Sequence, residues 1–342
     1  MPELMNTRVL LAKRPAGEPG DDCFTIDKVP VPELQEGEIT LKVLYLSIDP
    51  YMRGRMNDGE SYAKPVPIGG VMVGESVGVV VASRSDKYKV GDHLVTHQGW
   101  QSYITCRDDQ ASLGKVDKDL LPLQDFLGVA GMPGRTGYFG LLRLGKPKAG
   151  ETLVVAAASG PVGSMVGQIA KMKGLHVVGI AGGPEKCAYV KQELGFDVVI
   201  DHREGNVAEE LKKACPNGID IYFENVGGEV TRAVAPLLNK GARAPICGMV
   251  SIYNATDMTK VETPFHTFAK LEHPPEHRFF VVTEWLAEWW DATKEIAGWI
   301  KEGKLKHKEW MVDGLDQAPE LLRSVLRGRN FGKAIVRVAE ED

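Results

Sequence analysis

Two glycines and a lysine downstream of them set the chemistry this chain can attempt. In LVVAAASGPVGSMVGQIAKMKG, residues 153–174, an apolar run suited to a buried strand passes through a turn of small residues. The turn leads into an amphipathic helix whose Val166, Ile169, Ala170 and Met172 share a face. Strand, glycine turn and helix form the unit that cradles a pyrophosphate, because free N–H groups and the helix dipole favour an anion there. The turn reads A-x-G-x-x-G (Ala158, Gly160, Gly163), so alanine stands where the dinucleotide fingerprint has its first glycine. The same pattern also serves an ordinary strand-to-helix turn. In a dinucleotide site the end of the next strand selects the nucleotide: an acidic residue suits the ribose of NAD, a basic one a 2′-phosphate. Here that strand ends Ile180-Ala181-Gly182-Gly183 with no carboxylate, and Lys186 follows on the first turn of the next helix. This points to NADP(H), unless Lys186 is simply a solvated helix lysine. Glu185 beside it counts against the phosphate.

Such a cradle needs a parallel sheet around it. From residue 127 onward strands and helices alternate: HVVGIAGG a strand, PEKCAYVKQELG a helix, FDVVIDHR a strand, NVAEELKKACP a helix. IDIYFENVGG is the next strand, EVTRAVAPLLNKG a helix and ARAPICGM a strand. That order implies an α/β fold with a doubly wound parallel sheet and helices on both faces. Residues 1–125 lack a helical period; TRVLLAKRP, EITLKVLYLSID and the glycine-bent stretch from residue 68 read as short strands of a small β-barrel. After Tyr253, residues 257–279 carry Pro274-Pro275 and read as an irregular loop with one helical turn. RFFVV reads as a strand, TEWLAEWWDATKEIAGWIKEG and GLDQAPELLRSVLRGR as helices, and FGKAIVRV as a final strand at an edge of the β domain.

Composition narrows the function. With 43% hydrophobic and 25% charged residues over 342 positions, the chain is an ordinary globular protein of two domains. A net charge of −5 gives no basic field for nucleic acid. No apolar run approaches the ~20 residues of a membrane span, and the N-terminus lacks a signal-peptide cleavage pattern. Cys23, Cys106, Cys187, Cys215 and Cys247 are odd in number and dispersed, with no C-x-x-C pair. This argues against a disulfide framework or a structural zinc lobe and for a reducing, cytoplasmic setting.

Seven motifs, in order and across nearly the whole chain, carry a family resemblance. They are YLSIDPYMRGRM (45–56), GMPGRTGYFGLL (131–142), ETLVVAAASGPVGSMVGQIAK (151–171), GFDVVIDH (195–202), IDIYFENVGG (219–228), ICGMVSIYNAT (246–256) and GRNFGKAIVRV (328–338). The chain resembles the zinc-free medium-chain dehydrogenase/reductases, in the leukotriene B4 12-hydroxydehydrogenase/prostaglandin reductase group, and most of all its bacterial members acting on curcumin-like enones. The resemblance implies a GroES-like β-barrel domain from residues 1–126 and 308–342, a Rossmann NADP(H)-binding domain from 127–307, and a homodimer. Carried over position by position, it implies pyrophosphate contacts at Gly160, Pro161, Val162 and Gly163, and 2′-phosphate contacts at Lys186 and His202. Asn225 lies in the NVGG loop, and Cys247 to Tyr253 border the nicotinamide. Phe280, Val281 and Val282 supply main-chain contacts, and Asn330 comes from the last segment. The chain departs from the family at His202, often tyrosine in eukaryotic members, and over residues 257–279, where substrate choice would be set.

The zinc alcohol dehydrogenases of the wider superfamily hold their metal with cysteine, histidine and carboxylate ligands. The corresponding stretches here read Val73-Gly74-Glu75 and Leu46-Ser47-Ile48, without a soft ligand, so no metal is expected. A metal-free NADPH site suits hydride transfer to a C=C bond conjugated to a carbonyl. Tyr253 is the candidate to stabilise the developing enolate, by hydrogen-bond donation rather than full proton transfer, since a phenol of pKa ~10 is a poor acid at neutral pH. The alternative is a packing tyrosine. Tyr51 is a candidate aromatic wall for a flat substrate, again against a packing role, and Tyr62 a candidate to close over it. Arg53 and Arg55 order their loop or pair with Asp49. His93 and His97 read as structural despite their i, i+4 spacing, and Trp285, Trp289 and Trp290 as core or interface. Two rival functions stand beside the double-bond reductase: an NADPH:quinone oxidoreductase, and an NADPH-binding protein without turnover.

Overall fold

In the computed structural model, which describes residues 4–59, 63–110 and 114–341, the chain divides into two compact units. One comprises Met1–Gly128 with Glu309–Asp342, the other Val129–Lys308. The first opens with β1 (Met5–Leu11), β2 (Phe24–Pro30) and β3 (Glu38–Ser47), then α1 (Tyr51–Arg55). β4 (Ser76–Ser83), β5 (His93–Thr96), β6 (Tyr103–Arg107) and β7 (Gly114–Lys115) follow. β3 is buried along almost its whole length because it has neighbours on both edges. Two breaks in its register with β4 curl the sheet, and Gly78 sits where a Cβ would lie 2.5 Å from the Lys42 carbonyl.

The second unit is built from β8 (Thr152–Ala156), β9 (His176–Ala181), β10 (Val198–Asp201), β11 (Ile219–Phe223), β12 (Leu238–Ile246) and β13 (Glu276–Phe279). All pair in parallel, in the order β10-β9-β8-β11-β12-β13. The order reverses beside β8, the switch point at which doubly wound sheets bind ligands. Its helices are α2 (Met132–Phe139), α3 (Pro161–Met172), α4 (Pro184–Gln192), α5 (Val207–Ala214), α6 (Gly228–Val234), α7 (Pro264–Ala269) and α8 (Trp289–Lys301). Val154, Val178, Ile200, Tyr222, Ile246 and Phe268 form one buried core on this sheet. The chain then returns to the first unit as β14 (Glu309–Asp313), α9 (Ala318–Leu326) and β15 (Lys333–Arg337).

Several elements differ from the sequence expectation. FGKAIVRV is not an edge strand: β15 lies between β14 and β3, and the true edge, β14, was hidden in KEWMVD. The charge of Lys333 suggests solvent, yet its ammonium is buried on Asp49 at 2.7 Å. β2 emerges from a stretch rich in proline and acidic residues, because its mostly exposed strand pairs only with β1 in a separate two-stranded sheet. Residues 257–279 hold a six-residue helix and the strand β13 rather than a single helical turn. β13 ends at Phe279, so Val281 and Val282 lie beyond it. The tryptophan-rich helix is broken: residues 282–288 are 3₁₀, Trp285 has non-helical angles, and α8 starts at Trp289. Trp289 is core, donating to the Val282 carbonyl at 2.9 Å, and Trp285 stacks on Phe139.

Candidate active site

β8 is buried throughout and apolar after Thr152, and delivers the chain to Ala157, which adopts φ +53°. A non-glycine residue in that region costs about 1 kcal/mol and is characteristic of functional turns. Gly160 accepts the Ser164 N–H as N-cap of α3, with Pro161 at the first helical position. Gly163 is forced: a Cβ there would lie 2.3 Å from the Ala157 carbonyl oxygen and 3.0 Å from Ala158 Cα. Gly160 is looser, with that oxygen 3.2 Å from its Cβ position. Gly160, Pro161, Val162 and Gly163 are thus one tight turn opening a twelve-residue helix. Ala158, at the place of the missing first glycine, is buried, and its N–H bonds to Ile180 in β9.

The end of β9 gathers cations. The Gly182-Gly183 turn, with Gly183 at φ +94°, leads into α4, and Lys186 stands on its first turn. Side chains from the 3₁₀ turn after β10 lie over this turn. His202 Nε2 is 2.5 Å from a Cβ position on Gly182, and Arg203 Nε is 3.2 Å from the same point. Desolvation, then the Arg203 charge, lowers the Lys186 pKa, and the same two causes lower His202, although that residue remains solvent-accessible. Asp201, the nearby carboxylate, is occupied in accepting the N–H groups of Gly183 (2.9 Å) and Arg203 (3.0 Å). The arrangement fits an anion. Arg203 is not among the sequence candidates: the residue pattern is read only at the end of β9, and the family resemblance implies His202 after β10 without its neighbour.

Asn225 donates from its amide to the Ala156 carbonyl at 2.8 Å, tying the NVGG turn to the cradle strand. The segment from Cys247 to Tyr253 packs beside that turn: Val250 N–H bonds to Asn225 O at 3.2 Å, and the Ser251 hydroxyl to Val226 O at 2.6 Å. The Tyr253 hydroxyl, part-buried, accepts the Met249 N–H at 3.3 Å and lies 2.9 Å from a Cβ position on Gly248. Burial, then Glu224, pushes the Cys247 thiol up to about 12, so it is no thiolate at neutral pH. Phe280 N–H bonds to Ile246 O, Val281 N–H to Glu284, and Val282 O to Trp289.

In the first unit, Tyr51 opens α1 and packs against the core that contains Met52 and Trp100. Tyr62 lies outside the described residues. Asn330 bonds to its own turn, Gly332 O, at 2.8 Å. Arg53 is buried and donates to Gly17 O and Asn57, and Arg55 to Lys64 O, while Asp49 is held by Lys333 and Ser47. Glu75 faces His97 Nε2 at 3.2 Å. A zinc ion does not fit at the positions the alcohol dehydrogenases use. Ser47 supplies a neutral hydroxyl, Asp49 already holds a buried ammonium, and a divalent cation would be repelled by it.

A family described as N-terminal domain of oxidoreductase matches residues 7–115, and one described as zinc-binding dehydrogenase matches residues 161–270. The chain is 48% identical to the NADPH-dependent curcumin reductase of Escherichia coli K12, over 98% of each chain. It is 38% identical to prostaglandin reductase 1 of Oryctolagus cuniculus, over 95% of this chain and 91% of that one. The crystal structure of CurA in complex with NADPH from Vibrio vulnificus superposes with a TM-score of 0.92 at 44% identity, covering 98% of this chain and all of that one. A quinone oxidoreductase structure from Escherichia coli, at 19% identity and TM-score 0.75, shares the fold. With its switch-point cradle, its cationic turn and relatives of this identity over their full length, the chain belongs to the medium-chain dehydrogenase/reductase family, in the group of the prostaglandin and curcumin reductases.

Proposed function

We propose that the chain is an NADPH-dependent reductase of C=C bonds conjugated to a carbonyl, acting on enones and enals of the curcumin-like class. The observation that carries its cofactor is the cationic turn: His202 and Arg203 lie over Gly182-Gly183, the Lys186 charge is close enough to act on both, and Asp201 is engaged with backbone. An anion charged like a 2′-phosphate suits these groups, whereas a ribose hydroxyl would need a free carboxylate. The names of the similar reductases support the same cofactor.

When bound, NADPH supplies the hydride. The turn from Gly160 to Gly163 holds the pyrophosphate with N–H groups and the α3 dipole. Asn225 and the Cys247–Tyr253 segment seat the nicotinamide, and the main chain of Phe280–Val282 and Asn330 contribute further contacts. Tyr253 donates a hydrogen bond to the substrate carbonyl oxygen as negative charge builds on it, and solvent protonates the α-carbon. Tyr51 is the candidate aromatic wall for a flat substrate, and Tyr62, outside the described residues, the candidate to close over it. Tyr253→Phe is expected to lower kcat by roughly 5- to 150-fold, the ~1–3 kcal/mol of a hydrogen bond to a charged group, with the Kd for NADPH within about twofold. Steady-state kinetics with fluorescence titration checks this, and an unchanged kcat removes Tyr253 from the mechanism.

The protein works as a homodimer in the cytoplasm on this reading. β13 pairs with β12 on one edge only among the described strands, which leaves an edge that a second copy can extend. All five cysteines are free thiols, in keeping with a reducing compartment. No described helix is long and apolar enough to cross a membrane. Sedimentation equilibrium is expected to give twice the 37.4 kDa chain mass, and a monomer at micromolar concentration contradicts the dimer.

A further inference from the structure

Glu224, at the end of β11, has no exposed surface, and the proposed reaction does not use it. Its Oε1 accepts the N–H groups of Val226 (2.8 Å) and Gly227 (2.9 Å), and its Oε2 accepts the hydroxyl of Thr231 on α6. The fully buried Tyr222 hydroxyl acts on the same charge. Its backbone carbonyl accepts the N–H groups of Cys247 (2.9 Å) and Gly248 (3.2 Å), and its own N–H bonds to Pro245. One residue therefore grips two segments: the Asn225–Gly228 turn through its carboxylate, and the start of the 247–253 segment through its main chain.

The turn needs such an acceptor. Gly227 at φ +79° and Gly228 at φ +62° form a left-handed pair outside any strand ladder, so the N–H groups near it find no regular backbone partner. A buried carboxylate is costly unless its oxygens are all bonded. Burial raises the Glu224 pKa, while Thr231 and the two N–H groups oppose that rise. An apolar residue could fill the volume, but it would release the Asn225–Gly228 turn and its tie to α6, leaving the main-chain grip on the 247–253 segment without a fixed partner.

We propose that Glu224 is the positioning residue of the nicotinamide end, holding Asn225 and the Cys247–Tyr253 segment in one fixed geometry without touching the cofactor. The proposal rests on the NADPH reading above. It predicts that damage at Glu224 separates the two halves of the cofactor, because the adenosine half is held by the turns after β8, β9 and β10 instead.

The test compares NADPH with adenosine 2′,5′-bisphosphate, which carries only the phosphate-bearing half. In Glu224→Ala the Kd of NADPH is expected to rise about tenfold and kcat to fall about tenfold, while the bisphosphate Kd stays within about twofold. Glu224→Gln should recover most of both, since its amide oxygen accepts from Val226 and Gly227 and its NH₂ donates to Thr231. Thr231→Val, nearly isosteric, should show a smaller loss of NADPH in the same direction, and carries the test alone if Glu224→Ala fails to melt cooperatively. Equal weakening of both ligands, an unchanged NADPH Kd and kcat, or no recovery in Glu224→Gln overturns the proposal. Failure of the cofactor reading looks different: the unmodified protein then binds neither ligand.

Discussion

Replacing Lys186 and Arg203 together by alanine is expected to raise the KM for NADPH about 100-fold and to leave the KM for NADH within about threefold. Each side chain offers a charge-assisted hydrogen bond to a 2′-phosphate, of about 1.5 kcal/mol at a solvent-accessible site, and two such contacts give that ratio. Because the cluster is accessible, salt should shrink the effect. Equal losses for both nucleotides would refute the phosphate assignment. The cluster also fixes the sign of a pH effect. Desolvation, Arg203 and Lys186 hold the free His202 below the ordinary histidine range, with Asp201 opposing. A dianionic phosphate favours the imidazolium instead, so NADPH binding takes up a proton: its KM is lowest in acid, rises with pH from the lowered pKa of the free His202 upward and levels off once the bound imidazole has lost its proton, while that of NADH stays flat.

The glycine turn yields the second large effect, in two parts. Gly163→Ala places a Cβ 2.3 Å from a backbone oxygen that cannot retreat without opening the β8–α3 turn. Thermal unfolding should show a loss of about 1–3 kcal/mol, together with loss of NADPH binding. Gly160→Ala meets that oxygen at 3.2 Å and needs only a small adjustment. It should unfold within about 1 kcal/mol of the parent yet bind NADPH at least about tenfold more weakly, because the added methyl stands where backbone must approach the pyrophosphate. If Gly160→Ala binds NADPH normally, the pyrophosphate lies elsewhere.

Local patterns made the second unit readable. Its central strands β8, β9 and β11 are buried, largely apolar runs, and parallel pairing in a doubly wound sheet leaves little freedom of order, whereas β13, Glu-His-Arg-Phe, carries no such pattern. The first unit was harder, because its pairings are long-range. β2 is mostly exposed and lacks an apolar face, and β15 carries a lysine whose charge is neutralised by Asp49, far away in sequence. In the site, Gly163 and Lys186 could be found because their neighbours in sequence are also their neighbours in space. Arg203 and Glu224 could not be assigned that way. Arg203 acts across from β10 onto the turn after β9, and Glu224 acts through main-chain donors that no side-chain pattern displays.

The central claim is that hydride reaches the β-carbon of a conjugated double bond. NADPH deuterated at C4 of the nicotinamide, on the transferred face, should be oxidised with a simple enone or enal and with curcumin, and mass and NMR analysis should locate the label. The account predicts a saturated ketone or aldehyde with one deuterium on the β-carbon and the carbonyl intact. Deuterium on the carbonyl carbon of an allylic alcohol, or turnover with a benzoquinone but with none of the conjugated carbonyls, would contradict it.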